Sequence, residues 1–215
     1  MRLNKIIILN ILLVLFLSTP AVPQQNDKTW EYSRTLSGIK IFHRAGVSKG
    51  LFEFLAITSI NTPPEPITRA VLDIPTNYSW MADCVYSENI TKISANEIIA
   101  YYITAPPWPV SKRDSIIRIK ATYNSGKRIF TMSSLRKGDA EKYKSLNPDC
   151  LRIYEMEGTV TLEEISPGST EVKFSVAGES GGNVPDFIVS MGGWVIPYKT
   201  LSGLKKFMSA SFHEK

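Results

Sequence analysis

An α+β domain is the fold class this sequence predicts: a curled antiparallel sheet of about nine strands, closed by one long, kinked C-terminal helix. Three observations carry that expectation. Several runs alternate apolar and polar residues with a period of two, the mark of half-buried strands. Asn124-Ser-Gly126 and Ser166-Pro-Gly168 fall between neighbouring runs as turn punctuation, which joins them as antiparallel hairpins. The last segment abandons that period for helical spacing.

The elements follow in order. Ile39, Ile41 and His43 alternate with Lys40, Phe42 and Arg44, and Phe52, Phe54, Ala56 and Thr58 with Leu51, Glu53 and Leu55, giving the first strands. Thr62-Pro-Pro-Glu-Pro66 then opens a helix in which Ile67, Ala70, Val71 and Ile74 share a face, and Pro75 is expected to end or bend it. Beyond Trp80 come strand candidates Cys84–Ile93, Glu97–Thr104, Asp114–Tyr123, Arg128–Leu135, Leu151–Ile165 and Thr170–Ala177. In the final segment Phe187, Met191, Trp194, Tyr198, Leu201, Leu204 and Met208 recur at steps of three and four, one apolar stripe on a helix begun by Pro185 and Asp186. The ring of Pro197 opposes the carbonyl of Gly193, so a kink is expected over 192–197. A sheet of this length curls. Closed by a helix, it has an interior that is filled by side chains or occupied by a ligand.

The first residues read as an export signal: Arg2 and Lys5, an apolar run of 12 residues from Ile6 to Leu17, then small residues to Ala21. The run falls short of the roughly 20 apolar residues that span a bilayer. The expected layout is thus a removed segment 1–21 and a single domain 22–215, exported to the periplasm or secreted. Loss of Arg2 and Lys5 takes the formal charge from +5 to +3, with 23 basic residues interspersed among 20 acidic ones. Nothing in that pattern clusters base on one face as nucleic-acid binding requires. A monomer is expected, with transient membrane contact.

Catalysis is not expected. The only histidines, His43 and His213, have no nucleophile motif beside them, and there is no Gly-x-Ser-x-Gly elbow, metal-ligand spacing or phosphate loop. Glu155 and Glu157 share a strand face, the usual arrangement of a solvated row. No cofactor and no metal are called for. Cys84 and Cys150 could form one bridge in an oxidising compartment, but two separate buried thiols are the favoured reading. Asn77-Tyr-Ser79 and Asn89-Ile-Thr91 match the glycosylation pattern.

The segment Ala105-Pro-Pro-Trp-Pro-Val-Ser-Lys-Arg-Asp114 resembles the START family, the lipid-transfer domains related to steroidogenic acute regulatory protein. Trp30, the run Gly38–Arg44, the helix ending near Trp80, Leu151-Arg152 and Gly182-Asn-Val-Pro-Asp186 follow in the family's order. Pro197-Tyr-Lys-Thr-Leu201 looks like its bacterial members. The resemblance implies a helix-grip fold: a U-shaped sheet around a long C-terminal helix, with a tunnel for one lipid or sterol. It further implies an inward Arg113 that pairs with an acid or a polar ligand group. The family's acid would fall near Tyr86, where this chain has none, so Glu88 is the substitute partner. Tyr86, Tyr101, Tyr102 and Trp108 could surround a quaternary ammonium. Asp114 is expected to hold the strand start rather than touch ligand. On the helix, Phe187, Met191 and Trp194 are expected to face the tunnel, with Gly192, Gly193 and Pro197 as the hinge of a gate. An enzyme of the same superfamily acting on a bound apolar substrate, or a scaffold with a filled interior, are the alternatives.

Overall fold

The computed structural model describes residues 29–44, 51–179, 181, 182, 184 and 186–213. The expected export segment and Pro185 lie outside the described residues, and over 186–193 only the helical backbone is described.

Trp30–Leu36 (β1), Ile39–Arg44 (β2) and Leu51–Ile60 (β3) form a meander. Pro64–Leu72 (α1) crosses over to a 3-10 turn, Ile74–Ser79. Cys84–Ser94 (β4), Glu97–Thr104 (β5), Arg113–Asn124 (β6) and Lys127–Ser134 (β7) follow. After Asp139–Tyr143 (α2) and Leu151–Arg152 (β8), the chain ends with Met156–Ser166 (β9), Ser169–Glu179 (β10) and Asp186–His213 (α3). The strand order is β1-β2-β3-β10-β9-β7-β6-β5-β4, all antiparallel, with β8 joined parallel to β6.

Most expected elements are present, and the departures have local causes. β1 reads as no strand because a register shift between Tyr32 and Arg34 moves its side chains from one face to the other midway. The single run expected over 151–165 is two strands, since Arg152 is drawn to β6 by Asp114 and the chain breaks before Met156. α1 stops at Leu72, and Pro75 sits in the first turn of the 3-10 segment, where its missing N–H costs nothing. α2 is too short to show a periodicity. α3 continues through Pro197.

Alternation on β5 sorts two cores. Ala100 and Tyr102 face inward with Ile74, Cys84, Ile117 and Ile119; Ile99 and Tyr101 face outward with Ile116, Leu135 and Ala140 of α2. The main core lies on the inner face, where Phe54, Phe130, Leu162, Val172 and Phe174 meet Ile67 of α1 and Leu201, Leu204 and Met208 of α3. Those three helix positions belong to the apolar stripe read from the sequence. Trp194 and Tyr198 are half-buried against the same core.

Candidate ligand cavity

The inner face of β5, β6, β7, β9 and β10, the end of α1 and the second half of α3 enclose about 30 Å³. Its wall includes Val71, Met81, Ile119, Met132, Val160, Phe174, Leu201 and Leu204, with polar groups from Asn77, Trp80, Tyr102 and Thr200 and, among the described residues, no charged side chain. That volume is about one water molecule's share of the liquid. Among the described residues, side chains therefore nearly fill the interior.

The polar groups are positioned by backbone turns. Asn77, 2% exposed, donates from Nδ2 to the carbonyls of Ala70 (3.0 Å) and Asp73 (3.2 Å), closing the end of α1, and its Oδ1 accepts from the Tyr102 hydroxyl at 2.9 Å. Burial pushes the Tyr102 phenol pKa far above its ordinary value, so the hydroxyl stays protonated. Thr200 Oγ1 accepts from the Ala82 N–H at 3.3 Å. Burial also raises the Cys84 thiol to about 11, which keeps it protonated and unreactive at neutral pH. Cys84 and Cys150 are both free thiols.

The second half of α3 is held to the loop after the 3-10 turn. A Cβ on Gly203 would lie 2.1 Å from the carbonyl oxygen of Trp80, so only glycine permits this approach. Beside it, Lys199 Nζ meets Asp83 Oδ1 at 2.8 Å. Gly203 carried no signal in the sequence reading, since its role depends on a loop more than a hundred residues away.

The sequence-predicted residues do not converge. Tyr102 lines the cavity. Arg113 is buried at the start of β6 and points a guanidinium N–H at the carbonyl of Gly181 (3.2 Å), besides an N–H bond to Ser111 O, so it ties the segment before α3 to the sheet. Burial lowers its pKa from the usual arginine value. Glu88 is not its partner: Glu88 lies across the strand pair from Tyr101 on the outer face, where it accepts from Lys144 and from the Tyr86 hydroxyl (2.9 Å). The Lys144 contact holds the Glu88 carboxyl below its usual pKa. The aromatic surround is also dispersed. Tyr86 and Tyr101 are outside the sheet with rings 6.2 Å apart, Tyr102 is inside, and Trp108 is 92% exposed on the loop before β6. Trp194 lies under the guanidinium of Arg34 at 4.3 Å, at the β1 edge of the grip. The side chains of Phe187 and Met191 and the surroundings of Gly192 and Gly193 lie outside what is described; Pro197 is buried.

The strongest charge pair was not anticipated. Asp114 and Arg152 are buried on the outer face, with Arg152 Nε to Oδ1 at 2.9 Å and Nη2 to Oδ2 at 2.7 Å. The Tyr101 hydroxyl donates to the same carboxylate at 3.0 Å, and Arg152 also reaches the carbonyls of Lys144 and Ser145. This agrees with Asp114 holding the strand start. In the sequence Arg152 stood out only as part of a strand candidate and of Leu151-Arg152 in the family's order, with no sign of its partner.

A second concavity, an open groove of about 460 Å³, lies between Arg136-Lys137, β8 and Gly181-Gly182. Its charged lining is Arg136, Lys137 and Arg152, the last paired with Asp114, together with Glu155 and Glu179. Among the described residues no group of His, Cys, Asp and Glu could hold a metal ion, His43 is exposed beside Glu31, and Glu155 and Glu157 are solvated. Asn77 is buried, so it cannot accept a glycan in the folded protein, whereas Asn89 is exposed.

No protein-family model matches the chain. An uncharacterized protein of Pseudomonas aeruginosa is 22% identical over 183 residues, covering 82% of this chain and 85% of that protein. Among solved structures, the STAR-related lipid transfer protein of Xanthomonas axonopodis (fragment 25–204) superposes with a TM-score of 0.75 at 22% identity, covering 84% of this chain and 98% of the other. Human StAR-related lipid transfer protein 5 gives 0.76 at 16% identity with 88% and 90% covered. Human STARD10 gives 0.72 at 17% with 82% and 71%. A ten-stranded sheet, antiparallel except at the short β8 and closed by one C-terminal helix, matched over most of its length to three such structures, gives this chain the helix-grip fold of the StAR-related lipid-transfer domains.

Proposed function

We propose that the protein binds one lipid or sterol-like molecule between sheet and α3 and carries it without converting it. The observation that supports this best is the uncharged cavity walled by the sheet and the second half of α3. Burying an acyl CH₂ is worth about 0.8 kcal/mol, so a long chain gains on the order of 10 kcal/mol, enough to offset displacement of packed side chains. The similar solved structures are named as lipid-transfer proteins, which supports the same reading.

A cavity of about 30 Å³ admits a lipid only if part of its wall moves. The second half of α3 is fixed at Gly203, Thr200 and Lys199, so the moving part is the first half, with Gly192, Gly193 and Pro197 as hinge and Phe187, Met191 and Trp194 as the wall that closes over ligand. Arg113, by holding Gly181, sets where that half begins. Export to the periplasm belongs to this proposal, and cell fractionation with antibody detection tests it.

Native mass spectrometry of the purified protein and displacement of fluorescent fatty-acid and sterol probes test binding; one unmodified lipid per chain is expected. A converted product would replace carriage by catalysis, and failure of every probe class would remove the binding reading. A cross-link between positions 34 and 194, which join β1 to α3, is expected to slow ligand exchange. Unchanged exchange would remove the gate.

A further inference from the structure

We propose that Trp80 is the polar anchor of the cavity: its indole N–H takes an uncharged acceptor oxygen, a hydroxyl or carbonyl, on the otherwise apolar ligand. This rests on the lipid reading above and narrows it to a chemical class.

Trp80 is 7% exposed and lies on the cavity wall, and its Nε1 is buried with no hydrogen-bond acceptor among the described residues. A buried donor without a partner is costly, and native structures keep few of them. The other polar groups of the wall are engaged: the Asn77 amide and the Tyr102 hydroxyl with each other and with α1, and Thr200 with the Ala82 N–H. Among the described residues of this wall, Trp80 Nε1 is the one buried side-chain polar atom without a partner, and it is a donor.

An indole only donates, so the atom that meets it must be an acceptor. Among the described residues no charged side chain lines the cavity, so a carboxylate or phosphate beside Trp80 would be desolvated without a counter-ion. That leaves a neutral oxygen. Its backbone carbonyl is pressed against Gly203 of α3 and its ring is 7% exposed on the cavity wall. The contact fixes the donor on the inner wall at the part of α3 that stays attached, so the oxygenated end of the ligand lies deep and the hydrocarbon extends toward the hinge.

Matched probes that differ by one oxygen test this: hexadecanol against hexadecane, and cholesterol against cholestane. Each is titrated into ¹⁵N-labelled protein, whose four tryptophans give separable indole resonances. The alcohols are expected to move the Trp80 Nε1–H resonance downfield, and the hydrocarbons to leave it in place. Trp80→Phe keeps an aromatic ring and removes the donor; it is expected to weaken the alcohols about three- to tenfold and to leave the hydrocarbons within about twofold. Equal losses for both members of a pair, or an unmoved resonance with bound alcohol, overturn the assignment while leaving lipid binding intact. If no probe binds the wild-type protein, the lipid reading fails and this inference with it. Should Trp80→Phe not fold, the wild-type titration decides, with the resonance assigned through the backbone.

Discussion

Tyr101 and Tyr102 are neighbours on β5, both almost fully buried, and they live in opposite chemistries. Tyr101 looks outward into an ionic cluster, donating to Asp114 with the Lys144 ammonium 4.4 Å above its ring. Tyr102 looks inward and donates to the neutral Asn77. The pleat alone makes the separation. What the difference teaches is that β5 turns its ionic contacts to the face away from the cavity. There a buried pair fixes β6 and β8, and among the described residues the wall of the cavity itself carries no charged side chain.

The largest test of that division is Asp114→Ala. It leaves Arg152 buried without its counter-ion, and a loss of about 3–5 kcal/mol is expected by denaturant unfolding; a loss under about 1 kcal/mol would mean that the cluster is not what fixes the strand ends. Gly203→Ala acts on the inner side. Its Cβ would meet backbone, which cannot rotate away, so about 1–3 kcal/mol or more is expected, together with altered ligand exchange. An alanine tolerated at no cost would show that α3 is not seated on the Trp80 loop.

Tyr102→Phe is expected to cost about 1–2 kcal/mol, because Asn77 Oδ1 loses its donor in an uncharged setting. A cost equal to that of Asp114→Ala would erase the contrast between faces. The smallest effect is alkaline. Burial, reinforced by Asp114 and opposed by the bond from Asn147, raises the Tyr101 phenol to about 12. The fold holds the neutral form, so its contribution is complete below the ordinary tyrosine pKa near 10 and is lost as pH rises from there toward 12. Unfolding midpoints measured from pH 8 to 12 should fall over that window, and less steeply in Tyr101→Phe.

Fold and site were not equally legible in the sequence. Period-two runs and the three-and-four spacing of Leu201, Leu204 and Met208 report which face is buried, and burial is what drives sheet and helix together. β1 escaped because its bulge breaks the alternation. Site residues are decided by partners distant in the chain, and those leave no local trace. Glu88 shares a chain stretch with the expected acid position, yet its strand pairing with Tyr101 puts it outside. Trp80 was read as a helix terminus, and nothing near it announces that its N–H would be left without an acceptor. Arg113 was singled out through family resemblance, and its bond to Gly181 depends on a segment 68 residues on.

The strand order also has a consequence for how the chain is made. β3 has β10 as its neighbour on one side, and their register runs from Leu51 opposite Glu179 to Ile60 opposite Thr170. A ribosome releases β3 long before β10 exists. Until the last strand arrives, the first three strands have an open edge and no link to the rest of the sheet except α1. Completion of the sheet thus waits on one long-range pairing between otherwise sequential hairpins, which slows the last step and leaves the growing chain dependent on protection from aggregation.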